Sequence, residues 1–299
     1  MGAWGPGLYS SDLAMDLKAT VGAVVRLPFS DDRLVEILRA TDPETADDPG
    51  SEEHTVFWLV VADQFEKRGI ACAVVRDKAL SLIDAQSDLR VNAQLGMSGG
   101  DLRKRKALLE ALRHRIAAAP TRSKPRKVLK EPQAYILDVG GVYAYPTANG
   151  LPINPYLGSK YFDRSAWKPD GWGLVAILER GRVFDYLVWY QPIVAVRAVA
   201  VRPGSPPTGE DTAWVVQNPG TFSKAKWSAM ELELLGSVGV DAAKVDALVG
   251  TRRPIVTVAV SDISFVDSMT VLPPRTADEK ALRGHRTRTV LRGLRSLAP

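Results

Sequence analysis

Apolar residues recur at helical spacing through the first hundred or so positions, then switch to strand spacing. Leu13, Leu17, Val21, Val24 and Val25 share one helical face, and Ser10, Ser11 or Asp12 can cap it by accepting from free N–H groups. Pro28 follows the end of that helix. Leu34, Ile37 and Leu38 predict a second short helix over 31–40, and 41–50 reads as an acidic loop with two prolines. The run 54–68 is apolar nearly all round through Val56, Phe57, Trp58, Leu59, Val60, Val61 and Phe65. Such a helix belongs at the centre of a bundle. Residues 72–85 put Val75, Ala79, Leu82 and Ile83 on one side. In 101–118, Leu102, Leu108, Leu109, Leu112 and Ile116 form an apolar arc and Arg103, Lys104, Lys106, Arg113 and Arg115 the opposite one. Arg105 falls within the apolar arc and is expected to snorkel to water.

Residues 119–132 hold three prolines and five basic residues without apolar periodicity, which predicts an interdomain linker. From Gln133 the period becomes strand-like, with candidate strands at 135–139, 142–145, 173–178, 183–190, 193–201, 213–217, 255–260 and 263–272. Glu179-Arg-Gly-Arg182 is expected to be a hairpin turn with Gly181 at positive φ. Residues 150–169 form a long insertion. Helices are expected at 224–235 and at 241–249, the latter with Asp241 as cap and Gly250 as stop. Another is expected over 276–297, opened by a Thr276/Glu279 capping box and docked through Leu282, Val290, Leu291 and Leu294. The fold class is therefore α+β. A helical bundle domain (1–118) and the basic linker (119–132) precede a mostly antiparallel β domain (133–299), barrel-like or sandwich-like, with peripheral helices and a C-terminal basic helix.

Composition narrows the chemistry. No apolar run is long enough for a membrane span, and no Lys or Arg precedes Lys18, so a signal-peptide n-region is missing. A single cysteine, Cys72, permits no internal disulfide and points to a reducing cytoplasm; its apolar surroundings favour a buried thiol. The net charge of +5 is unevenly spread. Residues 1–100 carry 9 basic and 16 acidic side chains, and residues 101–130 carry 11 and 2. Positive charge confined to one connector and the tail does not make the whole chain a nucleic-acid binder.

Catalytic motifs are sparse. Gly96-Met-Ser-Gly-Gly100 fits G-x-S-x-G, but a nucleophile elbow needs a strand before its serine. Ser98 is better read as a helix cap. His54, His114 and His285 are scattered, so no metal site is expected, and no phosphate-binding glycine loop or cofactor site is present. Asp163 and Asp170 lie in the insertion, where solvated loop acids are the default. The aromatic distribution says more: residues 135–190 hold 12 of the chain's 22 aromatics. Tyr156, Tyr161, Phe162, Trp167 and Trp172 in and beside the insertion are hard to bury together, and such residues favour recognition surfaces. Trp4, between Gly2, Gly5 and Gly7, reads as an anchor into the bundle.

The opening Met1-Gly-Ala-Trp-Gly-Pro-Gly-Leu-Tyr-Ser-Ser-Asp12 resembles a bacterial domain of unknown function that begins MGxWGxxxF/Y, then a small polar residue, an Asp and a helix. Residues 57–69 and 78–84 look like the middle helices of that family, and 101–112 like its basic connector helix. Val139-Gly-Gly-Val-Tyr-Ala-Tyr-Pro146 resembles its GDVFAY element. It also resembles the opening strand of the immunity-protein 26 type β domain of polymorphic-toxin systems. The resemblance spans about residues 1–200 and carries no catalytic residues. Gly141 stands where the pattern usually has Asp.

Together these readings favour a non-enzymatic cytoplasmic protein-binding protein, with toxin immunity as the version the resemblance implies. Its aromatic loop would meet a protein partner. Two alternatives stand beside it. One is a nucleic-acid-associated protein using the basic connector and tail, with Arg103, Lys104, Lys106, Arg113, Arg126 and Lys127 as its contacts. The other is a hydrolase working through Ser98 or the Asp163/Asp170 pair. Neither the partner nor the oligomeric state is legible, and no membrane association is expected.

Overall fold

The computed structural model describes residues 5–118, 126–148, 151–152, 168–250, 255–260, 264–266 and 290–298. The expectations for Trp4, Tyr156, Tyr161, Phe162, Asp163, Trp167, Thr276, Glu279, Leu282 and His285 lie outside these residues. The chain divides into two compact units, Met1–Glu131 and Pro132–Pro299. Helices build the first and an antiparallel sheet organises the second, so the chain is of the α+β class.

The first unit contains α1 (Asp12–Val24), α2 (Asp31–Thr41), α3 (Pro43–Asp47), α4 (His54–Lys67), α5 (Ala73–Asp84), α6 (Ser87–Gln94) and α7 (Gly99–Ala117). Side-chain oxygens start four of them: Ser11 accepts from the Ala14 amide, Ser30 from Arg33, Asp42 from Thr45 and Ser98 from Asp101. Each such cap satisfies an amide with no partner inside the helix. Helix α4 is the centre, buried without interruption from Phe57 to Phe65. Two helices depart from expectation. The acidic loop contains α3, because Asp42 caps it and Pro43 presets φ at its first position. His54 Nδ1 donates to Thr45 O (3.0 Å) and Trp58 Nε1 to Ala46 O (3.0 Å), which pins α3 to α4. Helix α6, not among the predicted helices, ends at Gln94, ahead of Ser98.

Arg105 does not snorkel. It is 2% exposed and forks onto Asp88 of α6, itself 0% exposed, through Nε–Oδ1 (2.8 Å) and Nη2–Oδ2 (2.9 Å). Its Nη1 donates to Gly7 O (2.6 Å), and Thr55 Oγ1 on α4 donates to Asp88 Oδ2 (3.3 Å). At this degree of burial only a full set of partners makes the charge tolerable. The described part of the expected linker, 126–131, belongs to this unit. Arg126 donates to Phe29 O (2.5 Å) and pairs with Asp31 (3.2 Å), while Leu129 N donates to Arg26 O (2.7 Å).

In the second unit, β1 (Gly141–Ala148), β2 (Leu151–Pro152), β3 (Gly171–Val183), β4 (Leu187–Ala195), β5 (Ala213–Val216), β6 (Glu233–Ser237) and β7 (Val290–Arg292) form one sheet. Its order is β2-β1-β3-β4-β5-β7, with β6 also on β1, and every pairing is antiparallel. The path does not close into a barrel. Alternation along β1 and β3 sends Tyr143, Tyr145, Val175 and Ile177 to one face, beneath Phe222, Met230 and Phe265. It sends Val142, Ala144, Leu174 and Ala176 to the other, beneath Trp214, Val245, Leu294 and Leu297. Helices α8 (Lys224–Met230), α9 (Ala242–Val249) and α10 (Ile255–Val260) accompany the sheet.

Several local expectations are overturned for identifiable reasons. Residues 135–139 are not a strand. The Ile136 and Leu137 amides donate to the Tyr190 hydroxyl (2.8 and 3.4 Å) and Asp138 N to the Tyr143 hydroxyl (2.9 Å). The Tyr135 ring lies between the Arg180 and Arg182 guanidiniums, 4.2 Å from each. The hairpin turns at Phe184 and Asp185, both at positive φ (51° and 61°), with Tyr186 N donating to Val183 O (3.1 Å). Gly181 instead lies inside β3 opposite Trp189, where a Cβ would meet the indole Nε1 at 2.8 Å. Residues 255–260 are helical because packing of Val258, Ala259 and Val260 overrides their strand preference. Helix α8 stops at Met230, since Glu231 takes a left-handed conformation before β6. The tail supplies strand β7 and a 3-10 turn, Leu294–Leu297, rather than one helix. Residues 196–201 leave the expected strand, keeping one bridge between Val199 and Trp172.

Arg105→Met leaves Asp88 buried and unpaired, and is expected to destabilise the first unit by about 3–5 kcal/mol. In urea denaturation of a double-mutant cycle, Arg105→Met/Asp88→Leu should cost less than the sum of the two single changes. Burial raises the phenol pKa of Tyr143, Tyr145 and Tyr190 above the ordinary 10.0. The folded state then holds protons that the unfolded state releases, so stability is full below pH 10 and falls above it. Tryptophan fluorescence of the second unit, followed to alkaline pH, should show this loss, and Tyr145→Phe should shift its onset upward.

Candidate partner-binding site

The long insertion leaves and re-enters the sheet at one residue. On one side of β1, Thr147 pairs with Pro152 of β2; on the other it pairs with Gly171 of β3, and Asp170 N donates to Thr147 O (2.9 Å). The described chain thus leaves the sheet at Pro152 and returns at Gly171, at a single corner. Trp172 stands at that corner, half-buried against the sheet face that carries Leu174 and Trp214. It exchanges backbone bonds with Val199 (2.7 and 2.8 Å), which brings the 199–202 segment alongside. Arg202 lies 6.0 Å from the Trp172 ring centroid and pairs with Glu233 of β6 (2.5 Å). Val201 beside it is 78% exposed.

The corner thus presents an indole, a guanidinium, a carboxylate and an exposed valine on a rigid antiparallel frame. Trp and Arg are the side chains that most often carry binding energy at interfaces. Of the five aromatics named from sequence, Trp172 is placed here; Tyr156, Tyr161, Phe162 and Trp167 lie outside the described residues. Val201, Arg202 and Glu233 were not anticipated. Val201 falls in the expected strand 193–201 and Glu233 in the expected helix 224–235, and the Trp172–Val199 bridge and the Arg202–Glu233 pair bring them together here.

The basic residues of the alternative reading are placed differently. Arg103, Lys106 and Arg113 share one stripe of α7, but Glu110 interrupts it (4.0 Å from Lys106) and Arg113 pairs with Asp84 (2.6 Å). Lys104 pairs with Asp101 (3.1 Å). Arg126 is tied to α2 as described, and Lys127 is exposed.

Ser98 lies between two helices and caps α7, its hydroxyl donating to Asp101 Oδ2 (3.0 Å). Hydrogen bonds from Lys104 and Ser98 hold the Asp101 carboxyl below its ordinary range. That is the setting of a helix start rather than of a base-activated nucleophile. Asp170 is exposed, with its amide engaged by Thr147. Cys72 is buried, and desolvation pushes its thiol pKa upward, away from reactivity. Among the described residues, no cluster of His, Cys, Asp and Glu is arranged to hold a metal ion, and no helix is long and apolar enough to cross a membrane. No protein-family model matches the chain, and no curated protein or solved structure matches it.

Ser98→Ala is expected to cost about 1 kcal/mol in urea denaturation, and Ser98→Asp, which restores the cap, to recover most of it. A nucleophile would show the opposite pattern, with stability unchanged and turnover of a test ester lost in both variants.

Proposed function

We propose that the chain is a non-enzymatic cytoplasmic protein-binding protein that meets its partner through the insertion corner of the second unit. The observation that carries this reading is the anchoring of both insertion ends at Thr147, beside Trp172, Arg202 and the exposed Val201. The insertion carries four further aromatics in sequence, Tyr156, Tyr161, Phe162 and Trp167, between two ends that meet beside an indole and a guanidinium. A rigid frame limits the entropy lost when such side chains are ordered by a partner. The resemblance of residues 139–146 to the immunity-protein 26 type domain makes toxin neutralisation the concrete version: the partner would be a toxin, blocked by occupation of its surface.

The test is recovery of tagged full-length protein from its native lysate, with and without DNase and RNase. It is run in parallel with a variant carrying Tyr161→Ala, Phe162→Ala, Trp167→Ala and Arg202→Glu. The expected result is one stoichiometric protein that survives nuclease and is absent from the variant, whose melting temperature is unchanged. A partner retained by the variant would move the interface elsewhere. Recovery of nucleic acid alone would transfer the function to Arg103, Lys106 and Lys127.

A further inference from the structure

Asp63 lies on α4 among apolar neighbours, with its side chain 3% exposed. A carboxylate so placed costs several kcal/mol unless donors surround it. It accepts from the Tyr9 hydroxyl, from Lys67 Nζ (2.7 Å) and from Arg115 Nη2 on α7. Gln64 Nε2 donates to the Tyr9 oxygen in turn. Burial, reinforced by the bond to Asp63, keeps the Tyr9 phenol protonated well above its ordinary range.

The carboxylate is saturated by this arrangement, but the cations around it are not. Lys67 and Arg115 keep 51% and 44% of their side chains exposed. Lys67 offers three donors and uses one on Asp63. Arg115 uses Nη2 on Asp63 and Nε on Glu66 (3.2 Å), which leaves Nη1. Lys18 and Lys67 both place Nζ 5.3 Å from the Tyr9 ring centroid. Arg68 is held against Gln64. Four cations therefore gather around two carboxylates, in a stretch of chain that is otherwise acidic. Neutralising Asp63 and Glu66 does not require that surplus.

Of these side chains Lys67, Arg115, Asp63 and Tyr9 line a cleft of about 410 Å³, whose other wall is Leu8, Leu108 and Leu112. Small-molecule sites are concavities of this size, mostly apolar, with a few convergent polar groups. We propose that this cleft binds a small oxyanion-bearing molecule with a short apolar body, its carboxylate or phosphate head bridging Lys67 and Arg115. Both cations are oriented beforehand by the shared Asp63, so little ordering remains when the head arrives. The apolar body lies along Leu8, Leu108 and Leu112. The site uses no residue of the second unit, so its failure leaves the protein-binding reading untouched, and the reverse.

The test is calorimetric titration of the full chain with octanoate, octyl phosphate and 1-octanol, each below its aggregation limit. Saturable one-site binding of at least one anion is expected, with octanol at least tenfold weaker. Lys67→Met should weaken the anion at least tenfold. Leu108→Trp, which fills the cleft and removes no charge, should abolish binding while the variant still melts cooperatively. The proposal is overturned if neither anion binds saturably, if octanol binds as tightly as the anions, or if either variant binds like the parent chain.

Discussion

The buried Arg105–Asp88 pair is the constraint on which the helical unit depends. A guanidinium sits at the middle of the arc that α7 turns inward, among Leu109, Leu112 and Ile116. It is stable there only because Asp88, the Gly7 carbonyl and, through Asp88, Thr55 meet it with near-ideal geometry. Four pieces of chain distant in sequence are fixed against one another by that requirement. A different roll of α7 would leave two charges desolvated and unpaired, which hydrophobic packing alone would not forbid. The pair therefore specifies the arrangement more than it stabilises it. Ten residues on, the same roll brings Arg115 to Asp63, so the surface cluster inherits its position from the buried pair.

The second unit solves a related problem with neutral groups. Its central strands are buried on both faces, so large aromatic side chains on them need either a small neighbour or a partner for their polar tips. Glycine supplies the first: Gly173 lies opposite Tyr145, and Gly181 opposite Trp189, where a Cβ would overlap the ring. Backbone amides supply the second. The Tyr143 and Tyr190 hydroxyls accept from the 136–138 amides, so the segment entering the sheet is bound by side chains where a strand would be bound by a neighbouring strand.

This explains which parts of the molecule sequence pattern reveals. The α1, α2, α4 and α7 helices rest on a local periodicity, and the caps of α1 and α7 on one polar side chain a few residues away, so these are legible. So are β1, β5 and α9, whereas the strand-like period read from Gln133 takes hold only at Gly141. The turn at Phe184 and Asp185 is not, because positive φ at two non-glycine residues is imposed by the strands on either side. Gly181 misleads for the complementary reason: it is required by Trp189, not by a turn. Arg105 within an apolar arc was the visible mark of a buried partner, yet nothing local names Asp88 seventeen residues earlier. At the candidate corner, the aromatic density is plain in sequence, whereas Arg202 and Glu233 converge only through the sheet.

Charge segregation along the chain acquires a different meaning once its partners are known. The acidic first hundred residues and the basic stretch after them meet within one unit, through Arg105–Asp88, Arg113–Asp84, Arg115 with Asp63 and Glu66, and Arg126–Asp31. The exposed pairs among these add little stability. They do lower the field that the basic helix projects into solvent, and that field is what recruits polyphosphate chains. Among the described residues, Glu110 interrupts the stripe that Arg103 and Lys106 share on α7, and Lys127 and Lys130 lie apart from it in sequence. Where the cations do exceed their local acids, around Asp63, two of them, Lys67 and Arg115, line an open cleft. A cleft suits a small anion better than a duplex.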